Sequence, residues 1–332
     1  MTLAFLWRRC LAAGLLLLAS GVPAAAACPA LRWTTLGTAG GPVPTPERSE
    51  PANLLTAGDQ LILVDTGDGT VDQLARLGLG LAPIRSVFIS HHHWDHTGGL
   101  AAVIGLRWMN GLPGVLTVYG PPGTQALVAG IVAALGPQSR IGFGVGALPS
   151  PPAASVRAVE IGDGARVDLG PLTVTAVANS HFSRPGAPAS GDAVSLSYRF
   201  QLGGRAITYT GDTGPSEAVT RLARGSDLLV SEAIDLTALL AAIHATQPDL
   251  SPAALAPLEQ HLATQHLAGD EIGRMAAVAG VRHLLLTHLA IAPGPVRGSE
   301  PALRGAIARA YAGPVDVGID LASYDVGCAA AQ

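Results

Sequence analysis

Four histidines and one aspartate stand within six positions of the stretch SHHHWDHTGG, from His91 to His96. The whole chain has only ten histidines, so chance composition does not produce this concentration. The apolar run at 86–89 precedes the cluster and is typical of a buried strand that ends where the histidines begin. The cluster therefore predicts that several imidazoles meet at the end of a strand, and a solvated polar loop or a tag-like histidine tract is the alternative.

The spacing inside the cluster indicates two neighbouring sets of ligands. Side chains alternate across a strand, so His91 and His93 can face one point while His92 faces elsewhere. Asp95 and His96 follow where the chain turns towards a helix, and they can face a second point nearby. Neutral imidazole and carboxylate groups bind zinc, manganese and iron. The pattern therefore predicts a site for two divalent metal ions, with zinc expected first and manganese or iron as alternatives.

Three further candidate ligands each follow a segment of strand composition. They are His181, Asp212 and His288. A lone histidine after a strand is more often a surface residue than a ligand. Three such residues in ordered segments, added to the cluster, favour a complete metal site.

The first 27 residues have the composition of a secretory signal. Arg8 and Arg9 precede an apolar run that is too short to span a membrane, and small residues follow it. We therefore divide the chain into a signal peptide at 1–27, one domain at 28–328 and a tail at 329–332. The mature protein is expected to be periplasmic or secreted, without a stable membrane span, and an uncleaved anchor at 1–27 is the alternative.

Two cysteines remain after removal of the predicted signal, Cys28 and Cys328. An even pair of cysteines in an exported chain predicts a disulfide, because the compartment is oxidising. Lipid attachment to Cys28 is the alternative.

In their order along the chain, these motifs resemble those of the metallo-β-lactamase superfamily. The resemblance is carried by Leu36-Gly37-Thr38, Val64-Asp65-Thr66-Gly67, the cluster at 91–96, His181, Tyr209-Thr210-Gly211-Asp212-Thr213 and Leu286-Thr287-His288. It covers nearly the whole mature chain and implies an α/β fold, the four-layer αβ/βα sandwich, with a dinuclear site at one edge. The ligands that it implies are His91, His93 and His181 for one ion, Asp95, His96 and His288 for the other, and Asp212 as the bridge.

A finer resemblance connects the chain with the ribonuclease Z and arylsulfatase-like branch. Its residues are Leu36 to Gly41, Asp227 to Ala233, and Gln265-His266. In ribonuclease Z, a His-Glu-Ala-Thr segment and a His-Ser-Thr segment flank the metals; Glu232 and His266 match them here, but their neighbours differ. We expect His266 to be a general acid that Glu232 orients, and Asp95 to orient the attacking water as well as bind metal. The alternatives are a solvated or capping carboxylate for Glu232 and a surface histidine at a helix N-terminus for His266.

The expected function is that of an exported metal-dependent hydrolase. Two cations held together lower the pKa of a bridging water, so hydroxide is available near neutral pH. The expected substrate is a small phosphodiester or sulfate ester. A lactonase or a β-lactamase-type hydrolase is the alternative, although zinc β-lactamases usually lack the bridging aspartate that Asp212 would supply. A metal-binding module without catalysis is less expected, because the ligand set is complete.

The net charge of the chain bears on which class of substrate we expect it to bind. The sequence has no lysine and a formal net charge of −4, which becomes −6 without Arg8 and Arg9. No basic stripe appears, whereas a polyanion is usually bound by a wide cationic surface. We therefore expect a small-molecule ester substrate and no nucleic acid, with a homodimer possible. Trp94 and Trp108, near the cluster, have either a place in the substrate pocket or a buried structural role.

Overall fold

The chain folds into two halves, and each half forms most or all of one mixed sheet with its own helices. The computed structural model describes residues 28–141, 150–183, 193–247, 249, 251–292 and 298–328. The predicted signal peptide at 1–27 and the predicted tail at 329–332 lie outside the described residues.

Within the described residues, the first sheet has seven strands, six of them from the first half of the chain. In chain order they are β1 (Leu31–Gly37), β2 (Ala52–Ala57), β3 (Gln60–Thr66), β4 (Ile84–Phe88), β5 (Leu116–Gly120) and β6 (Val156–Glu160). The seventh, β14 (Ser323–Asp325), returns from the other end of the chain to pair with β1. Pairing is antiparallel from β14 to β3 and parallel from β3 to β6.

The second sheet, in the part of the chain that the structure describes, also has seven strands. They are β7 (Arg166–Leu169), β8 (Leu172–Ala178), β9 (Leu196–Leu202), β10 (Arg205–Tyr209), β11 (Leu228–Ile234), β12 (Leu284–Ala290) and β13 (Val315–Val317), paired in chain order. Pairing is antiparallel from β7 to β10 and parallel from β10 to β13. Each sheet thus has its parallel strands on one side, and their carboxyl ends share one edge.

Each sheet has its own helices, and several of them pack on its outer face. Those of the first half are α1 (Thr70–Arg76), α2 (Trp94–Thr97), α3 (Leu100–Met109) and α4 (Thr124–Ala134). Those of the second half are α5 (Glu217–Leu222), α6 (Leu236–Thr246), α7 (Pro252–Gln265), α8 (Gly269–Ala279) and α9 (Glu300–Ala308). None of the helices in the described ranges has the length and apolar character that a membrane crossing needs.

Three apolar cores separate four layers and confirm the αβ/βα sandwich. The central core joins Trp33 and Phe88 of the first sheet to Phe200 and Tyr209 of the second. A second core lies between the first sheet and helices α3 and α4, and a third lies between the second sheet and helices α8 and α9. The parallel strands are apolar on both faces because both faces are covered, as in β12, where all seven residues are buried.

A disulfide joins the two ends of the described chain. Cys28 and Cys328 form a disulfide, with Cα atoms 6.3 Å apart, which lies within the range that such a bond needs. Next to it, the backbone N–H of Val326 donates to the carbonyl of Leu31 at 2.8 Å. The predicted disulfide is therefore confirmed, and β14 is held at the edge of the first sheet.

Removal of this disulfide is expected to destabilise the fold. The bond links residues 300 positions apart, so it removes much conformational freedom from the unfolded chain. We expect the double variant Cys28→Ser, Cys328→Ser to lose about 2–4 kcal/mol in free energy of unfolding. Denaturant unfolding of the variant, and of the unaltered protein with and without reductant, measures this. Unfolding curves that do not change on reduction would contradict it.

Candidate metal centre

The histidine cluster follows the carboxyl end of β4, as the sequence predicts. The strand ends at Phe88, and His93 is the N-cap of the short helix α2, so the chain turns between them. His91 is buried below this turn, whereas His93 is exposed above it. The turn therefore places neighbouring imidazoles at different depths around one point.

One group of donor atoms comes from both halves of the chain. Ligand atoms of His91, His93, His181 and Asp212 all lie within 4.8 Å of one another. The Nδ1 atom of His93 is 2.9 Å from Nε2 of His91 and 3.2 Å from Nε2 of His181. The first half of the chain supplies two of these residues and the second half supplies the other two.

A second group lies beside the first and also comes from both halves. It consists of Asp95, His96 and His288, and the Oδ2 atom of Asp95 is 3.5 Å from His96 Nε2 and 3.4 Å from His288 Nε2. Asp212 lies between the two groups. Its Oδ1 is 3.3 Å from His96 Nε2. Its Oδ2 is 3.1 Å from His288 Nε2 and 3.9 Å from His91 Nε2.

These donor atoms fit a divalent metal ion. The buried Nε2 of His96 and Oδ1 of Asp212 face each other but make no hydrogen bond. Ligand atoms around a tetrahedral ion, each about 2.1 Å from it, lie about 3.4 Å from one another, which is close to the separations found here. A mixed imidazole and carboxylate set suits zinc, manganese and iron.

The electrostatics of the site favour a cation. Burial lowers the pKa of His181 to about 3 and that of His91 well below its ordinary value, so both are neutral, as ligands must be. For His96, burial acts in the same direction, but the carboxylates of Asp212 and Asp95 raise its pKa well above the ordinary value. The carboxylates therefore favour positive charge at this point, which a metal ion supplies.

Hydrogen bonds to residues outside the donor groups orient two of the imidazoles. The Nδ1 atom of His181 donates to the carbonyl of Gln265 at 2.9 Å. The Nδ1 atom of His96 is 2.8 Å from Oδ2 of Asp65. Bonds of this kind fix the tautomer and leave Nε2 of each ring for an ion.

Asp65, which the sequence offered only as part of a motif, is a positioning residue. Its carboxylate accepts from the backbone N–H and the hydroxyl of Ser90 at 2.7 and 2.8 Å, and from the Tyr209 hydroxyl at 2.8 Å. Because Tyr209 belongs to β10, Asp65 joins the two sheets beneath the site. Its φ of 56° is one that aspartate tolerates better than most residues. The signal available in the sequence was an aspartate at the end of an apolar run.

The Glu232 and His266 pair lies beside the donor groups. Nδ1 of His266 is 2.6 Å from Oε2 of Glu232, whose Oε1 accepts from the backbone N–H of Thr213. A ligand atom of His266 lies within 4.8 Å of those of Asp212 and His288. Burial alone would lower the pKa of His266, but the Glu232 carboxylate raises it to about 9. Both side chains are buried, so the solvated carboxylate and the surface histidine are excluded.

Two aromatic rings beside the site have no counterpart among the predicted residues. The ring of Phe182 lies 4.8 Å from that of His181 and 5.3 Å from that of His93. The ring of His261, on α7, lies 5.4 Å from that of His266. Phe182 directly follows a predicted ligand, which was its only signal. His261 carried none, because its place depends on how α7 packs.

The glycine-rich loop after β1 lies directly against the site. A Cβ atom at Gly41 would collide with the side chain of Asp95, and one at Gly40 would collide with the backbone of Ala290. Only glycine fits at these two positions. The loop that supported the finer resemblance therefore has a steric role next to Asp95.

His92 points away from the donor groups, as the alternation in the sequence predicts. Its Nε2 atom is 3.0 Å from the hydroxyl of Thr124 at the start of α4. We expect His92→Ala to retain its metal and its activity, with a loss of roughly 0.5–1.5 kcal/mol in stability from the lost hydrogen bond. His91→Ala is the matched variant and should lose metal. Elemental analysis of both decides, and an equal loss of metal would overturn the assignment of His91.

Known proteins match most of the chain. The family model described as "Beta-lactamase superfamily domain" matches residues 60–289. Ribonuclease Z from Mycobacterium avium (strain 104) is 34% identical over 294 residues, which cover 87% of this chain and 95% of that protein. Ribonuclease Z from Mycobacterium tuberculosis (strain ATCC 25618 / H37Rv) is 30% identical and covers 89% of this chain and 98% of its own length.

Solved structures agree on the fold. The metallo-beta-lactamase fold protein YhfI from Bacillus subtilis has a TM-score of 0.64 and 19% identity, covering 90% of this chain and 100% of its own. Human tRNase Z, short form, has a TM-score of 0.59 and 20% identity, with the same coverage.

The expectation of a small-molecule ester substrate without nucleic acid is wrong. Relatives that match along nearly their whole length are named as ribonucleases, and one structural neighbour is named as a tRNase. The error came from net charge, which sums the whole surface, whereas a nucleic acid contacts only one part of it. On the family model and these relatives, the chain belongs to the metallo-β-lactamase superfamily, in its ribonuclease Z branch.

Proposed function

We propose that the protein is a phosphodiesterase of the ribonuclease Z type that hydrolyses RNA with two divalent ions. The observation that carries the proposal is the position of Asp212 between two donor groups, with the Glu232 and His266 pair at its side. The relatives named ribonuclease Z, which match 87–89% of the chain, support RNA as the substrate.

The two donor groups would hold the ions. One ion would be held by His91, His93 and His181, the other by Asp95, His96 and His288, and both by Asp212. When bound, such ions polarise a phosphoryl oxygen and lower the pKa of water so that it can attack near neutral pH. Zinc is the expected ion, and manganese and iron suit the same donors.

The remaining groups of the site orient reactants and move protons. Asp95, which lies against the loop at Gly41, orients the attacking water. His266 donates a proton to the departing ribose oxygen, because an alkoxide leaves poorly without one. Glu232 holds the imidazole through Nδ1 and is itself held by the backbone N–H of Thr213.

A cavity between α5 and α8 has several arginines in its wall, which favours a substrate that bears more than one phosphate. Its volume is about 440 Å³, and Leu267 forms part of its wall. The charged residues of that wall are Arg221, Arg224, Arg274, Glu217 and Glu271. Three arginines against two glutamates give this wall a formal charge of +1, although the chain as a whole is negative. Arginine is a common partner of backbone phosphates.

The protein is further proposed to act outside the cytoplasm, in the periplasm or after secretion. The disulfide between Cys28 and Cys328 supports this location, because such bonds persist in oxidising compartments. The predicted signal peptide at 1–27 points the same way. Its substrate is then RNA in that compartment.

A substrate panel on protein stripped of metal and reloaded with zinc or manganese tests the proposal. The panel holds a single-stranded RNA, a tRNA with a 3′ extension, p-nitrophenyl sulfate, an acyl-homoserine lactone and a β-lactam. Asp212→Asn protein, purified in parallel, controls for contaminating nucleases. Ion-dependent cleavage of RNA supports the proposal. Turnover of the sulfate, lactone or β-lactam without RNA cleavage would overturn it, and so would bound ions with no turnover at all.

A further inference from the structure

Trp94 is the most exposed large apolar side chain in the described residues, at 76%. It stands between His93, which belongs to the first donor group, and Asp95, which belongs to the second. The backbone therefore places Trp94 one residue from each donor group, on the short helix α2. The proposed metal chemistry does not use it.

The other two described tryptophans differ from Trp94 in a way that rules out a shared packing role. Trp33 and Trp108 are 0% and 3% exposed. Their indole N–H groups donate to Oδ1 of Asn53 and to the carbonyl of Ser150. Such burial and hydrogen bonding is usual for tryptophan in a folded chain. An indole that is three-quarters exposed adds little to stability, and most of its surface is accessible to a ligand.

The indole of Trp94 lies with one edge on Gly98. A Cβ atom at Gly98 would be 2.9 Å from its Nε1 atom and 3.3 Å from Cε2, so a larger residue would push the ring away. The backbone of Gly98 is helical, at φ −56° and ψ −34°, and does not itself require glycine. Because Gly98 has no side chain, the indole packs against it while most of the indole surface stays accessible.

We propose that Trp94 is the surface on which a nucleobase of the substrate stacks when the adjoining phosphodiester lies at the donor groups. This inference rests on the proposed hydrolysis of RNA. A base is separated from its phosphate by a single ribose, which places it beside the site and not within it. Stacking on an aromatic ring accepts any base and needs no positive charge. It therefore suits a chain whose net charge is negative.

Two substrates with the same leaving group test the inference by kinetics. Thymidine 5′-p-nitrophenyl phosphate carries a base, and methyl p-nitrophenyl phosphate does not. For Trp94→Ala, the ratio of the two kcat/KM values should fall roughly tenfold, mainly through KM for the nucleotide substrate. Trp94→Phe, which keeps an aromatic face, should restore most of the preference. Ile319→Ala is the control, because it removes an apolar side chain that is 60% exposed. Equal losses on both substrates, or a lowered metal content, would overturn the inference.

Tryptophan fluorescence gives a readout that needs no turnover. Uridine 5′-monophosphate should quench emission from the unaltered protein and quench Trp94→Phe protein much less, since Trp33 and Trp108 are buried. Quenching that depends on Trp94 in a protein that cleaves neither RNA nor either ester would leave the stacking in place and refute the proposed hydrolysis. Hydrolysis of both esters with no such quenching and no change in their ratio would refute the stacking alone.

Discussion

Asp212→Asn is expected to abolish hydrolysis and to lower the metal content of the protein. The carboxylate of Asp212 faces both donor groups, with Oδ1 3.3 Å from His96 Nε2 and Oδ2 3.1 Å from His288 Nε2. Asparagine has nearly the same shape but no charge, so packing is kept while the shared ligand is lost. Removal of a residue that only hydrogen-bonds to a metal ligand lowers metal affinity roughly 10- to 100-fold. Because Asp212 is itself a ligand, the fall in metal affinity should be larger.

Equilibrium dialysis with zinc, followed by elemental analysis, measures the effect of Asp212→Asn. Asp168→Asn is the matched control, because that aspartate is exposed on β7 and pairs with Arg166. Two ions per chain are expected for the control. A variant of Asp212 that keeps two ions and full activity would show that this carboxylate is not shared.

His266→Ala is expected to slow hydrolysis according to the leaving group. An RNA phosphodiester releases a ribose alkoxide, which departs much faster when it receives a proton. A general acid contributes about 10²- to 10⁴-fold to such a step. The p-nitrophenolate of methyl p-nitrophenyl phosphate is stable without a proton, so its release should be slowed little. Both ions should remain, because the two donor groups do not include His266.

Parallel assays of the unaltered protein and His266→Ala on RNA and on the nitrophenyl ester measure this difference. Glu232→Gln, which keeps the shape of the partner but removes its charge, should show a smaller loss in the same direction. Equal loss on both substrates would mean that His266 acts only through the structure. Loss of metal from His266→Ala would assign it to the ligands instead.

The positions of the predicted ligands were accessible to sequence reasoning because they depend on local pattern. An apolar run that ends in a polar residue marks the end of a buried strand, and parallel strands end at one edge of a sheet. Asp212 after β10 is an example, and it lies beside residues contributed by the first sheet. The alternation that separates His92 from His91 is equally local. The four-layer architecture was predicted from the family resemblance and not from the pattern of residues alone.

Contacts between distant segments were not accessible in the same way. Asp65 belongs to β3, and its role depends on Tyr209, which lies on the other sheet. The resemblance paired Glu232 with His266, but it did not predict that Glu232 lies within the fully buried strand β11 and accepts a hydrogen bond from the backbone N–H of Thr213. The role of Asp65 arises from the packing of the two halves against each other, whereas that of Glu232 arises from contacts between distant segments of the second half. Local patterns encode neither kind of contact. The position of His261 on α7 has the same origin.

Both donor groups take residues from both halves of the chain, and this sets an order of events during biosynthesis. His93 and Asp95 leave the ribosome early, but His288 follows only after nearly all of the second sheet has been made. No ion can be held by a full set of ligands before that point. Ion capture is therefore a late step, after the halves have met, and an ion-loaded molecule is one whose assembly has already succeeded.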